Sequence, residues 1–161
     1  MIQLRDVRPE RWSLAKPFTI SRGTKTAADV VVVELSDDDG HQGWGECVPY
    51  ARYCESLASV TAQINALGHI SHEELGEALP AGAARNAVDC AFWDLEAKTS
   101  GVSVAQRVGL QDLQPQITAY TLSLDSPEAM ERQARLNAHR PLLKIKLGTP
   151  DDMPRLEAVR R

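Results

Sequence analysis

Two lysines, Lys144 and Lys146, interrupt the apolar run PLLKIKLG between Pro141 and Gly148. In an extended strand successive side chains point to opposite faces, so Leu143, Ile145 and Leu147 share one face and Lys144 and Lys146 the other. On an exposed antiparallel sheet that is an ordinary polar face. Parallel sheets are normally covered on both faces, and there two neighbouring ammonium groups repel each other and lose hydration, which favours the neutral amine. A lysine tuned in that way is a general base.

Other groups able to do chemistry read as structural. Cys47, Cys54 and Cys90 are an odd number without a Cys-x-x-Cys pair, which suits reduced structural thiols. His41, His69, His72 and His139 lack a metal-ligand spacing and are expected at the surface or at caps. Asp37, Asp38 and Asp39 precede Gly40 at a strand end, the composition of a solvated turn rather than a cation loop.

The chain has 161 residues, 43% hydrophobic and 25% charged, enough for one globular domain or somewhat more. A formal net charge of -4, with no run of Lys or Arg, argues against nucleic acid or an anionic membrane as partner and leaves room for a small acidic or zwitterionic ligand. No apolar stretch approaches the ~18 residues of a membrane span, and MIQLRDVRPE is too charged for a signal peptide. A soluble, cytoplasmic protein is the resulting expectation.

The elements that must position the lysines follow from periodicity. Ile2 and Leu4 alternate with polar residues as one strand, and SLAKPFTIS is a second. Val30 to Leu35 is a buried strand, Ser36 to Gly40 a turn, and Gly43 to Val48 a glycine-rich return strand of an antiparallel hairpin. From Ser56 the period becomes helical through Leu57, Val60, Ile64 and Leu67, closed by Gly68. Ser71 to Glu74 fits a capping box for a short helix ending before Pro80. Ala84, Ala87, Val88, Ala91, Phe92 and Leu95 form an amphipathic stripe closed by Gly101, and Ser103 starts another short helix. After the linker LQDLQPQ the order becomes strand (ITAYTLSL), helix (Ser126 N-cap, Pro127 first), strand (PLLKIKLG), helix (TPDDMPRLEAVRR). That alternation predicts a parallel pair with a crossover between them.

Taken together, SRGTKTAADVVVVEL, GWGECVPYARYCES, ARNAVDCAFWDLEAK, YTLSL and LKIKLG resemble the N-terminal half of a dipeptide epimerase of the L-Ala-D/L-Glu type, in the mandelate racemase and muconate lactonizing branch of the enolase superfamily. The resemblance runs from Met1 to Arg161. It implies an α+β capping domain, antiparallel sheet plus helices, over residues 1–112. The first two βα units of an incomplete (β/α)7β TIM-like barrel would follow over 113–161, with the active site at the strand ends.

Carried onto this sequence, the resemblance makes Lys146 the base that removes or returns an α-proton, and Lys144 an auxiliary that tunes it and touches the substrate carboxylate. Thr121 matches a substrate-binding threonine on the first barrel strand, and by alternation shares its face with Ala119 and Ser123. Arg22 matches an arginine on a mobile capping loop that binds the distal carboxylate of a Glu-containing dipeptide, a task suited to a guanidinium. Tyr50, Arg52 and Tyr53 belong to a second capping loop shaping the pocket, in which Cys54 stands where glycine is expected. Asp89 and Asp94, five apart on a helix, read as structural.

The resemblance further implies Mg²⁺ stabilising an enediolate, a dipeptide such as L-Ala-Glu as substrate, and a place in murein-peptide recycling. Its second lysine and metal ligands are expected on later strands. The chain therefore reads as a truncated piece, inactive and unable to hold Mg²⁺ productively by itself, with a homo-oligomer or a complementing C-terminal half as its protein partners. Two alternatives stand beside it: another superfamily member (a cycloisomerase or an o-succinylbenzoate synthase-like lyase), and a non-catalytic binding or assembly module recruiting a partner strand at an exposed edge.

Overall fold

The structure is a computed structural model and describes residues 1–110, 112–148, 150 and 152–161. Its elements run β1 (Gln3–Ile20), β2 (Gly23–Ser36), β3 (Gln42–Cys47), a 3₁₀ turn (Ala51–Tyr53), α1 (Leu57–Asn65), α2 (Leu75–Ala78), α3 (Ala83–Ser100), α4 (Val104–Arg107), β4 (Tyr120–Leu122), α5 (Pro127–Leu136), β5 (Leu143–Ile145) and α6 (Asp152–Arg160). They form two compact units, one of Met1–Trp12 with Ala28–Leu113 and one of Ser13–Ala27 with Gln114–Arg161. Among the described residues no helix is long and apolar enough to cross a membrane.

In the first unit the sheet order is β1-β2-β3, and β2 pairs antiparallel with β3 in a register that sets Val33 opposite Gly45 and Leu35 opposite Gly43. Val31, Val33 and Leu35 enter a core with Val60, Ile64 and the α3 stripe of Ala87, Val88, Ala91, Phe92 and Leu95. The two β3 glycines exist for closeness rather than for flexibility. A Cβ on Gly45 would lie 1.9 Å from the Ala87 carbonyl oxygen, and one on Gly43 would lie 2.2 Å from that of Ala91. Small residues on both sides thus bring the α3 backbone onto the strand.

The two N-terminal strands expected from the sequence are one strand of 18 residues. Pro9 and Pro17 fit within it because β1 lies at the sheet edge, where a missing N–H need not break the ladder. Helix starts behave as local chemistry requires. Ser56 with Ser59, and Ser103 with Gln106, form reciprocal capping boxes, and Ser126 caps α5 ahead of Pro127. Ser71 and Glu74 also exchange hydrogen bonds, but they close a turn and α2 begins only at Leu75.

In the second unit β4 and β5 pair parallel, with Tyr120 opposite Leu143, Thr121 opposite Lys144 and Leu122 opposite Ile145. Leu122, Met130 and Ala134 are buried together, with Leu143, Ile145 and Val159 packed against them. Helices α5 and α6 therefore cover the face that bears Leu122, Leu143 and Ile145. The strands are shorter than the eight-residue runs of the sequence suggest, and Lys146 follows immediately after β5. Thr149 and Asp151, at the expected start of the last helix, and Gln111, in the expected linker, lie outside the described residues.

Candidate functional site

Thr121 and Lys144 are register partners in a parallel ladder, so their side chains leave the sheet on the same side, opposite the helical cover. Thr121 is half-buried, Lys144 exposed and Lys146 half-buried. Burial of both lysines, expected from a sheet covered on both faces, does not extend to Lys144. Among the described residues neither lysine forms an ion pair or a hydrogen bond.

Arg22 stands with Ser21 in the turn between β1 and β2 and belongs to the same unit as the lysines. Thr19, three residues before it, donates its backbone N–H to Ser123 Oγ at 2.9 Å and accepts from Leu124 N–H at 3.0 Å. The side chain of Ser21 lies 3.4 Å from where a Cβ on Gly148 would stand. The hairpin tip therefore meets the segments that follow both β4 and β5. This unit brings Arg22, Thr121, Lys144 and Lys146 into one body, with an arginine for an anion, a hydroxyl for a carboxylate or carbonyl, and two amines for proton transfer. Ser123 and Thr19 had only one signal in the sequence, the alternation that sets Ser123 on the face of Thr121.

Tyr50, Arg52 and Tyr53 belong to the first unit. Arg52 and Tyr53 are exposed, and the Tyr50 and Tyr53 rings stand 5.8 Å apart. Glu55 closes this loop: its carboxylate accepts from Tyr50 N–H at 3.1 Å and from Ala83 N–H, the first residue of α3, at 2.7 Å. One carboxylate thus fixes the loop and satisfies a helix N-terminus. Cys54 has φ 60°, the one left-handed non-glycine conformation among the described residues, which explains why glycine is the natural choice at that position.

Asp89 and Asp94 are structural, as expected. Asp94 accepts the Trp44 N–H at 2.8 Å and pairs with Lys98 at 2.6 Å, while Lys98 reaches the Gln42 carbonyl, so the pair clips β3 to α3. Asp89 binds His72 Nε2 at 2.9 Å, Glu96 binds its Nδ1 at 2.7 Å, and the imidazole stacks on Phe92. His72 is therefore a half-buried bridge between helix carboxylates, not a surface or capping residue; its partners lie seventeen and more residues away, out of reach of local pattern. Burial raises the Cys47 thiol pKa to about 11, which makes it an inert core residue.

Asp37, Asp39 and His41 are the one group among the described residues with metal-like spacing. Loss of hydration acts to raise the Asp37 pKa, but hydrogen bonds from the His41 backbone and ring and from Thr99 outweigh it and hold it below the ordinary value. Its oxygens already accept from Asp39 N–H, His41 N–H, the His41 ring and Thr99, which is the bonding of a turn. No such group occurs beside Lys144 and Lys146 among the described residues. The described residues there do not gather the three carboxylate or imidazole ligands that a divalent metal takes.

Comparison with known proteins identifies the scaffold. Residues 2–109 match the family model "Mandelate racemase / muconate lactonizing enzyme, N-terminal domain". The chain is 44% identical over 158 residues to the L-Ala-D/L-Glu epimerase of Escherichia coli, covering 94% of this chain and 49% of that protein. It is 42% identical over 137 residues to an N-acetyl-D-glutamate racemase of Pseudoalteromonas, covering 81% and 43%. A crystal structure of an enolase family member from Agrobacterium tumefaciens with homology to dipeptide epimerases, holding sodium and L-Ala-L-Glu, superposes with TM-score 0.93 at 51% identity over 99% of this chain and 50% of that one. A dipeptide epimerase from Enterococcus faecalis complexed with Mg and L-Leu-L-Tyr gives 0.86 at 30% identity, covering 99% and 49%. The chain spans about half the length of these relatives. The antiparallel sheet with its packed helices, the matched family model and the epimerase relatives together make this chain a member of the mandelate racemase and muconate lactonizing family, corresponding to the N-terminal part of its dipeptide epimerases.

Proposed function

We propose that this chain supplies the capping domain, residues 1–112, and the opening strands of the catalytic barrel, residues 113–161, of an epimerase acting on a dipeptide such as L-Ala-L-Glu. The observation that carries the reading is the Thr121–Lys144 register, which sets a hydroxyl and the lysine motif on the sheet face away from the helices, in the unit that also holds Arg22. In this reading the Lys146 amine takes the α-proton of the C-terminal residue, and the C–H electron pair moves into the adjacent carboxylate as an enediolate. Lys144 and Thr121 bind that carboxylate, so negative charge grows beside an ammonium group. Arg22 binds the distal carboxylate. A second base on the opposite face returns a proton with inversion. The Enterococcus faecalis relative is complexed with Mg, and in this reading such a metal would be held by carboxylates other than the residues named above.

Relatives named for acting on an Ala-Glu dipeptide and on N-acetyl-glutamate share one substrate feature, a glutamate whose nitrogen is acylated. That likeness supports a second reading, racemisation of an N-acyl glutamate. Incubating the longest polypeptide that its gene encodes with L-Ala-L-Glu or N-acetyl-L-glutamate in D2O with Mg²⁺, and following the α-proton by NMR, separates them. Faster exchange of the dipeptide supports the epimerase, faster exchange of the acetylated amino acid the racemase, and no exchange of either contradicts both. The 161-residue chain alone is expected to show none.

A further inference from the structure

The hairpin tip that carries Arg22 is latched to the segment that follows β4 by one side-chain and one backbone hydrogen bond. Thr19 donates its N–H to Ser123 Oγ at 2.9 Å and accepts from Leu124 N–H at 3.0 Å. The second bond joins two backbones and is open to any sequence. The first needs a hydroxyl at position 123, where a sheet neighbour would offer a carbonyl. Thr19 Oγ1 also meets Thr24 Oγ1 at 2.9 Å, so the strands flanking the turn are pinned to each other as well as to the segment after β4. On its other side the tip abuts Gly148, two residues after Lys146.

We infer that Ser123 is a positioning residue, which holds the β1–β2 hairpin so that Arg22 is presented to the second carboxylate of a substrate, and thereby sets selectivity for acidic over neutral dipeptides. The inference rests on the role proposed above for Arg22. Bidentate recognition of a carboxylate tolerates little displacement of the guanidinium, so the share of time the hairpin spends docked enters the apparent affinity directly. Loss of one hydrogen bond of ordinary net worth shifts such a docking equilibrium roughly fivefold. A neutral side chain does not use Arg22 and should not register the change.

The test uses Ser123→Ala and Ser123→Thr, with Ser123→Val, a better strand former, where the alanine variant does not fold. In the 161-residue chain, amide hydrogen exchange at residues 19–24 should quicken measurably, by up to about fivefold, in Ser123→Ala, while α5 is unaffected. In the full polypeptide KM for L-Ala-L-Glu should rise with kcat held, the rise in KM and the quickening of exchange multiplying to about five because one docking equilibrium sets both; kinetics with L-Ala-L-Leu should not change, and Ser123→Thr should restore both readouts. Unchanged hairpin exchange overturns the latch. Equal losses toward both dipeptides overturn the role in selectivity. A wild-type polypeptide that exchanges no α-proton at all defeats the proposed function and the selectivity claim with it, while hydrogen exchange still decides the latch.

Discussion

Thr121 and Lys144 face each other across the β4–β5 ladder, one residue of each three-residue strand, on the side of the sheet that α5 and α6 leave uncovered. The relationship matters because alternation sends Leu122 and Ile145 into a core and necessarily sends their neighbours the other way. The residues that anchor the strands and those that would do chemistry are selected by the same two-residue period. Replacing Lys144 by Met, which keeps its length, should leave stability within about 0.5 kcal/mol because the side chain is exposed. Loss of epimerisation in the full polypeptide should exceed tenfold, as removal of a charge-assisted contact to the reacting carboxylate implies. Parallel urea titration and kinetic assay check the two outcomes.

Gly45 is expected to be the least replaceable residue of β3. A methyl group there would collide with the Ala87 carbonyl at 1.9 Å, and neither backbone can give way without separating β3 from α3. Gly45→Ala should cost more than about 3 kcal/mol, at the upper end of overpacking penalties. Gly40→Ala, with nothing within 4 Å of its Cβ but φ 87°, should cost only about 1 kcal/mol. Urea midpoints of the two variants give the comparison.

Cys54→Gly should stabilise the chain. The left-handed conformation at φ 60° costs a side chain about 1 kcal/mol, part of which glycine returns as unfolded-state entropy. A gain of about 0.5 kcal/mol, seen as a small rise in Tm, is expected, and the exposed thiol is removed as well.

Glu55→Ala should loosen the Tyr50–Tyr53 loop and uncap α3 together, because one carboxylate serves both N–H groups. A loss of about 1–3 kcal/mol follows from leaving these partners without their acceptor. Glu55→Gln, which keeps one acceptor oxygen, should recover part of it. Thermal denaturation of the two variants measures the difference.

Asp37 should contribute to acid sensitivity. Its pKa is lower folded than unfolded, so the unfolded chain binds more protons between the two values. The stabilisation is present above the ordinary carboxylate value near 3.8 and is lost as pH falls through the lower folded one. Stability measured from pH 6 down to pH 2 should fall less steeply in Asp37→Asn than in the wild type.

Much of this was legible in the sequence because it is local. Ser56, Ser103 and Ser126 announce helix starts through bonds that close within three residues, and the alternation of PLLKIKLG needs only a strand. What lay hidden depends on distant partners. Gly43 and Gly45 read as strand glycines without revealing that α3 presses on them, and His72 gave no sign of Asp89 and Glu96. The continuity of β1 depends on its being an edge strand, which only the assembled sheet decides. Arg22 could be singled out by resemblance, but the attachment of its hairpin to the segment after β4 spans 104 residues between Thr19 and Ser123.

The assignment of Lys146 as one of two bases is tested by Lys146→Ala in the full polypeptide, through α-proton exchange of the separate L,L and L,D epimers of Ala-Glu in D2O. The prediction is that epimerisation falls by at least about a hundredfold while one epimer still exchanges its α-proton with retention, through the base on the other face. Epimerisation persisting at the wild-type rate would contradict it.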